Sequence, residues 1–141
     1  MSLCAGIAYR WDGKRSRLYF QSKPNNYDVD SLQAFIMHLK RHLRGQKAIL
    51  IWDGLPAHKS RAMKEWLAIQ RRWLEVVLLP GYSPDLNPVE GLWNNIKGQE
   101  LANRCCDDLG EIGVAVKQGI DRVRSARQLM FGFLHEAALF F

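Results

Sequence analysis

A chain of 141 residues, 48% hydrophobic and 24% charged, is long enough to bury a core and too ordinary in composition for a disordered or fibrous protein. It holds no apolar run that could cross a bilayer and no signal-peptide pattern at its start, and its three cysteines offer neither a C-x-x-C spacing nor a paired framework. Residues 1–72 hold 14 Lys and Arg against 5 Asp and Glu, while residues 73–141 hold 6 against 9, within a net charge of +6. Such an excess in one half points to a polyanion, nucleic acid being the commonest, or to a basic solvated face.

In chain order, residues 3–11 and 17–22 are β-prone runs joined through Asp12-Gly13, a hairpin signal. From Asp28 to Arg44 the residues Leu32, Phe35, Ile36, Leu39 and Leu43 keep helical spacing, with Asp30 or Ser31 as the expected cap. Ala48–Trp52 and Leu74–Leu79 are short continuous apolar runs, the pattern of strands buried on both faces. Between them a helix follows Ser60 with Met63, Trp66 and Leu67 on one side. A helix from Pro88, a longer one through Leu109, Ile112, Val116, Ile120 and Val123, and a tail helix over 128–141 complete the chain. The order, β-β-α-β-α-β-α-α with the tail helix after it, predicts one α/β domain over 1–141, its helices flanking a mixed sheet.

The segment PGYSPDLNPVEGLWNNIK, residues 80–97, is the most tightly specified part of the chain. Pro84 suits a turn, Asn87 is a favoured N-cap, Pro88 takes the first helical position, and Glu90 falls three residues after the cap. That is an Asn form of the capping box, with the glutamate bonding back to the cap's own N–H. Asp53 sits at the carboxyl end of a buried strand, where α/β folds place chemistry and where Asp also serves as a turn residue. Two carboxylates at one end of a sheet, with no Cys/His cluster to compete, suit Mg²⁺ or Mn²⁺ and in-line displacement at a phosphodiester.

ILIWDGLPAHKS at 49–60 followed by LLPGYSPDLNPVEGLWNNIK at 78–97 closely resembles the DDE transposases of the mariner superfamily, nearest the bacterial insertion sequence 630 branch. Gly54 departs from the Asp-Asn common in the first motif. The resemblance implies a ribonuclease-H-like fold that cuts transposon-end DNA and joins it to target DNA. Asp53 and Glu90 would then be the second and third catalytic, metal-holding carboxylates for Mg²⁺ or Mn²⁺. It also implies a bacterial cytoplasmic, nucleoid-associated protein with no membrane partner.

In that family the first aspartate lies on a central strand ahead of the hairpin. Here the hairpin begins almost at Met1, and Asp12, Asp28 and Asp30 are poorly placed as substitutes. The expectation is therefore an N-terminally truncated catalytic domain without its first central strand, self-associating or pairing with an upstream transposase segment through open sheet edges. The rival reading is a non-catalytic remnant that binds DNA or intact transposase. His58 is a candidate for DNA or metal-bound water, or a loop-packing histidine. Lys97, on the helical face of Glu90, Trp93 and Asn94, is a candidate phosphate contact or a solvated lysine. Arg71-Arg72 and Lys14-Arg15 with Arg17 could follow a DNA backbone or be plain surface.

Overall fold

The computed structural model describes residues 1–139 and divides into two compact units. One comprises Met1–Pro24 together with the chain from Pro84 onward, and the other comprises Asn25–Ser83. The elements are β1 (Ser2–Tyr9), β2 (Ser16–Lys23), α1 (Val29–Leu43), β3 (Ala48–Trp52), α2 (Pro56–Lys59), α3 (Arg61–Ile69), β4 (Leu74–Leu78), α4 (Pro88–Gln99), α5 (Leu109–Arg124) and α6 (Arg127–Glu136). The expected order holds, with α2 and a single 3-10 turn at Pro84–Leu86 in addition. The tail helix ends at Glu136, and the last two residues expected in it, 140 and 141, lie outside the described residues. None of the described helices is long and apolar enough to cross a membrane.

In the first unit β1 and β2 pair antiparallel, with Ala5 opposite Phe20 and Ile7 opposite Leu18. Opposed residues share a face, so Leu3, Ala5, Ile7 and Tyr9 join Leu18 and Phe20 on the side that packs against the helices. Leu92 and Ile96 of α4, Val116, Ile120 and Val123 of α5, and Met130 and Phe133 of α6 fill the core. Leu109, read as part of the α5 stripe, is 60% exposed because it is the first residue of that helix, just after the Asp108 cap.

Two glycines let these helices approach. A Cβ on Gly91 would lie 2.9 Å from Phe133 Cδ1, and one on Gly119 would lie 2.7 Å from Glu100 Oε2 and 2.8 Å from Ile96 Cγ1. Beside Gly119, Arg122 donates to both Glu100 oxygens, at 2.5 and 3.0 Å, and to Asn95 Oδ1 at 2.6 Å. This fork ties α5 to the end of α4, and its hydrogen bonds hold the Glu100 carboxyl below the usual carboxylate range.

In the second unit the cap of α1 is Asp28, not Asp30 or Ser31. The Asp28 carboxylate accepts from Ser31 N–H at 2.8 Å, and Ser31 Oγ accepts from Asp28 N–H at 2.9 Å. A reciprocal box uses both residues, which outweighs a single cap from either alternative. Leu32, Phe35 and Ile36 of α1 are buried, as are Met63, Trp73 and Leu74.

Strands β3 and β4 pair parallel, with Leu50 opposite Val76, and α2 and α3 form the crossover that a parallel pair needs. Burial on both faces does not hold: Ile49 is 66%, Ile51 40% and Val77 46% exposed, whereas Trp52 and Leu74 are buried. The apolar runs hide an alternation along β3, whereas on β4 Leu78, opposite buried Trp52, is itself 44% exposed. The antiparallel and parallel pairings thus occur as two separate two-stranded ladders, and no strand among the described residues pairs with both.

Candidate functional site

Asp53 follows the last residue of β3, and its carboxylate is 44% exposed. Leu55 N–H donates to Asp53 Oδ1 at 3.3 Å. His58, in the single turn of α2, places Nδ1 2.8 Å from the Asp53 carbonyl oxygen and 2.9 Å from Asp53 Oδ1. A carbonyl only accepts, so Nδ1 is the donor in this hydrogen bond. The His58 ring lies flat on Trp52, with centroids 4.1 Å apart and planes 2° from parallel. Trp52 thus steadies the His58 ring, while His58 and Leu55 N–H hold Asp53 through one oxygen and leave the other without a protein partner among the described residues. At Gly54 a Cβ would meet only the flexible end of Lys59, at 3.1 Å.

In the first unit the loop into α4 is rigid for local reasons. Asn87 N–H donates to Pro84 C=O at 3.0 Å within the 3-10 turn, Asn87 Oδ1 accepts from Val89 N–H at 3.1 Å, and Pro88 opens the helix. The cap is real, but the expected capping box is not formed. The cap N–H that Glu90 would have accepted from is already spent on Pro84. The half-buried Glu90 carboxylate consequently has no hydrogen bond or ion pair among the described residues.

Along α4, Leu92 and Ile96 face the core and Trp93 packs against its rim, so Glu90, Asn94 and Lys97 share the opposite side. Lys97 is exposed in the last turn. Lys14 and Arg15 are exposed in the β1–β2 turn of the first unit, and Arg71 and Arg72 in the α3–β4 turn of the second. Asp12 is held by Arg10 at 3.2 Å and Asp28 by its cap, so both are structural. Gly91, which sequence reading passed over, seats the first turn of α4 on Phe133; a glycine inside a helical pattern was its only signal. An open cavity of about 560 Å³ lined by Arg104, Cys106, Asp108 and Glu111 contains none of these candidates.

Among the described residues no group of three His, Cys, Asp or Glu side chains could hold a metal ion. Asp53, in the second unit, keeps an open oxygen, and Glu90, in the first, an uncommitted carboxylate; each taken by itself is the kind of oxygen donor that Mg²⁺ accepts. Mg²⁺ commonly takes only one or two protein carboxylates and completes its shell with water and substrate phosphate.

A family model described as DDE superfamily endonuclease matches residues 12–112. The Tcb2 transposase of Caenorhabditis briggsae is 29% identical over 97 residues, covering 64% of this chain and 35% of that protein. An uncharacterized 39 kDa protein of insertion element IS630 from Shigella sonnei is 30% identical over 120 residues, covering 84% of this chain and 34% of its own length. The chain thus spans about a third of each of these relatives. Among solved structures, the catalytic domain of Mos1 mariner transposase matches with a TM-score of 0.64 at 18% identity, over 96% of this chain and 76% of that one. The same domain is known with Mg, matching at a TM-score of 0.63, and a Mos1 paired end complex with Mn matches over 85% of this chain and 36% of that one. The likeness in fold confirms the ribonuclease-H-like α/β class expected from the motifs.

Proposed function

The chain belongs to the DDE superfamily endonucleases, and from that premise we propose that it serves the metal-dependent cutting and joining of DNA during transposition. Asp53 and Glu90 are the catalytic carboxylates it contributes, and transposon ends and target DNA are the substrates. The observation that carries this reading is the Glu90 carboxylate, delivered by a rigid loop yet unused by the helix cap it should have closed. Leaving such a group half-buried without a partner costs stability, which is the expected mark of a functional residue.

In this reading Asp53 binds through its open oxygen while Leu55 N–H and His58 fix the other. His58 is a positioning residue, acting through Asp53. Lys97 engages a DNA phosphate along the Glu90 side of α4, and Arg71, Arg72, Lys14 and Arg15 add non-specific backbone attraction. A bound Mg²⁺ or Mn²⁺ supplies Lewis-acid stabilisation of charge at the scissile phosphodiester. The remaining carboxylate of the set is supplied by another transposase segment, the partner also expected at the open ladder edges. In a bacterium, the source that the insertion sequence 630 likeness suggests, a DNA substrate is met in the cytoplasm at the nucleoid.

The rival is a DNA-binding module without chemistry, which needs only the exposed basic residues Lys14, Arg15, Arg71 and Arg72. Titrating Mn²⁺ against the wild type, Asp53→Ala and Glu90→Gln, with and without duplex DNA, separates the two. Metal binding lost in either variant, and DNA affinity raised by metal in the wild type alone, supports the catalytic reading. Salt-sensitive DNA affinity indifferent to metal and to both substitutions would establish the rival.

A further inference from the structure

The turn between β1 and β2 carries a side chain for which the proposed chemistry has no use. Gly13 N–H donates to Arg10 C=O at 2.9 Å, closing a turn with Trp11 and Asp12 at its corners, and Gly13 takes φ 70°. Arg10 N–H donates to Arg15 C=O at 2.8 Å and Lys14 N–H to Asp12 Oδ1 at 3.0 Å, so the tip is braced by its own backbone. On this braced corner Trp11 is 81% exposed, whereas Trp52 and Trp73 are buried. An indole held in water on a rigid support has given up its burial energy without gaining a contact inside the chain.

The surroundings decide what it suits. Lys14, Arg15 and Arg17 are exposed, and Arg127 Nη2 reaches Gly13 C=O at 3.4 Å. The one carboxylate at the tip, Asp12, is neutralised by Arg10 at 3.2 Å. A protein-docking surface would set an exposed Trp among apolar neighbours and be poor in lysine. An exposed π face on a turn whose next residues, Lys14, Arg15 and Arg17, are exposed cations is instead the combination that binds unpaired bases, the ring stacking on the base and the cations taking the flanking phosphates.

We propose that the Trp11 hairpin tip is a stacking site for an unpaired base of DNA, with Lys14 and Arg15 on the adjoining phosphates. This rests on the reading of the chain as a DNA-acting protein and specifies the form of DNA it prefers.

The test measures fluorescence anisotropy of the full chain on a perfect duplex, the same duplex with a short bulge, and a single strand. Wild type is compared with Trp11→Ala, Trp11→Phe and Lys14→Gln/Arg15→Gln, with unchanged circular dichroism verifying that each is folded. Trp11→Ala should weaken bulge and single-strand binding roughly five- to hundred-fold and leave the perfect duplex within about two-fold. Trp11→Phe should recover most of that loss, and the charge variant should weaken all three DNAs and flatten their salt dependence. Duplex binding with no preference for the bulge, or equal losses on all DNAs in Trp11→Ala, would overturn the stacking site and leave the DNA reading intact. No binding to any DNA would sink both. Loss of self-association in Trp11→Ala with bulge binding unchanged would reassign the tip to a protein contact.

Discussion

Helix propensity and packing make opposite predictions for Gly119→Ala, which makes it the sharpest test of the α4–α5 contact. In an unencumbered helix interior, alanine is better than glycine by about 1 kcal/mol. Here the new methyl would lie 2.7 Å from Glu100 Oε2, 2.8 Å from Ile96 Cγ1 and 3.0 Å from Glu100 Cδ. Ile96 is 1% exposed and has nowhere to go, and overpacking of that kind costs about 1–3 kcal/mol. Glu100 can swing aside only by leaving Arg122; with the Arg122 side chain 36% exposed, that loss is discounted to about 1 kcal/mol. The net expectation is a loss of about 1–3 kcal/mol, a fall in melting temperature of about 3–10 °C. Thermal and urea unfolding followed by circular dichroism provide the assay. Gly132→Ala is the control: nothing lies within 4 Å of its Cβ, and it should gain up to about 1 kcal/mol. If Gly119→Ala melts at or above the wild type, the close approach of α4 and α5 described above is wrong.

Arg122 holds the Glu100 carboxyl below its ordinary value of 4.5, so the unfolded chain takes up that proton first. The pair's contribution is therefore complete above about pH 4.5 and lost as pH falls through the lowered folded value; the stability gap between wild type and Glu100→Gln should close over that range, and a constant gap would contradict the assignment. Burial pushes the Cys4 thiol up to about 11, so at pH 8 iodoacetamide should label exposed Cys105 well before Cys4, as peptide mass spectrometry would read. His58→Ala removes both the ring on Trp52 and one donor to Asp53, and should weaken Mn²⁺ binding about 10–100-fold; unchanged affinity would make His58 a packing residue alone. Lys97→Gln should lower the salt slope of DNA binding by about one, equally for all sequences, and an unaltered slope would return Lys97 to plain surface.

Much of the fold is legible locally. The periodicity of 32–43 and 112–123, the β-prone runs, and the Asn87-Pro88 start are properties of neighbouring residues, and short-range sterics and capping enforce them wherever the chain sits. The candidate carboxylates were legible for the same reason: Asp53 ends a strand and Glu90 opens a helix, and both positions are defined by chain order.

What the sequence left open are the competitions for partners, some between near neighbours and some across the fold. A sequence cannot say that Pro84 C=O will take the Asn87 N–H ahead of Glu90, that Asp28 and Ser31 will cap α1 together, or that His58 will stack on Trp52. Nor could continuous apolar runs reveal that Ile49 and Ile51 stay exposed while Trp52 is buried, since a run reads the same whether one face is covered or two. Gly91 and Gly119 look like helix weaknesses until Phe133, Ile96 and Glu100 arrive at the places their side chains would occupy. Trp11, the end of a β-prone run in the sequence, is left 81% exposed by the turn that follows β1. Backbone preference is set within a few residues along the chain, but who meets whom across it is fixed only when the elements pack.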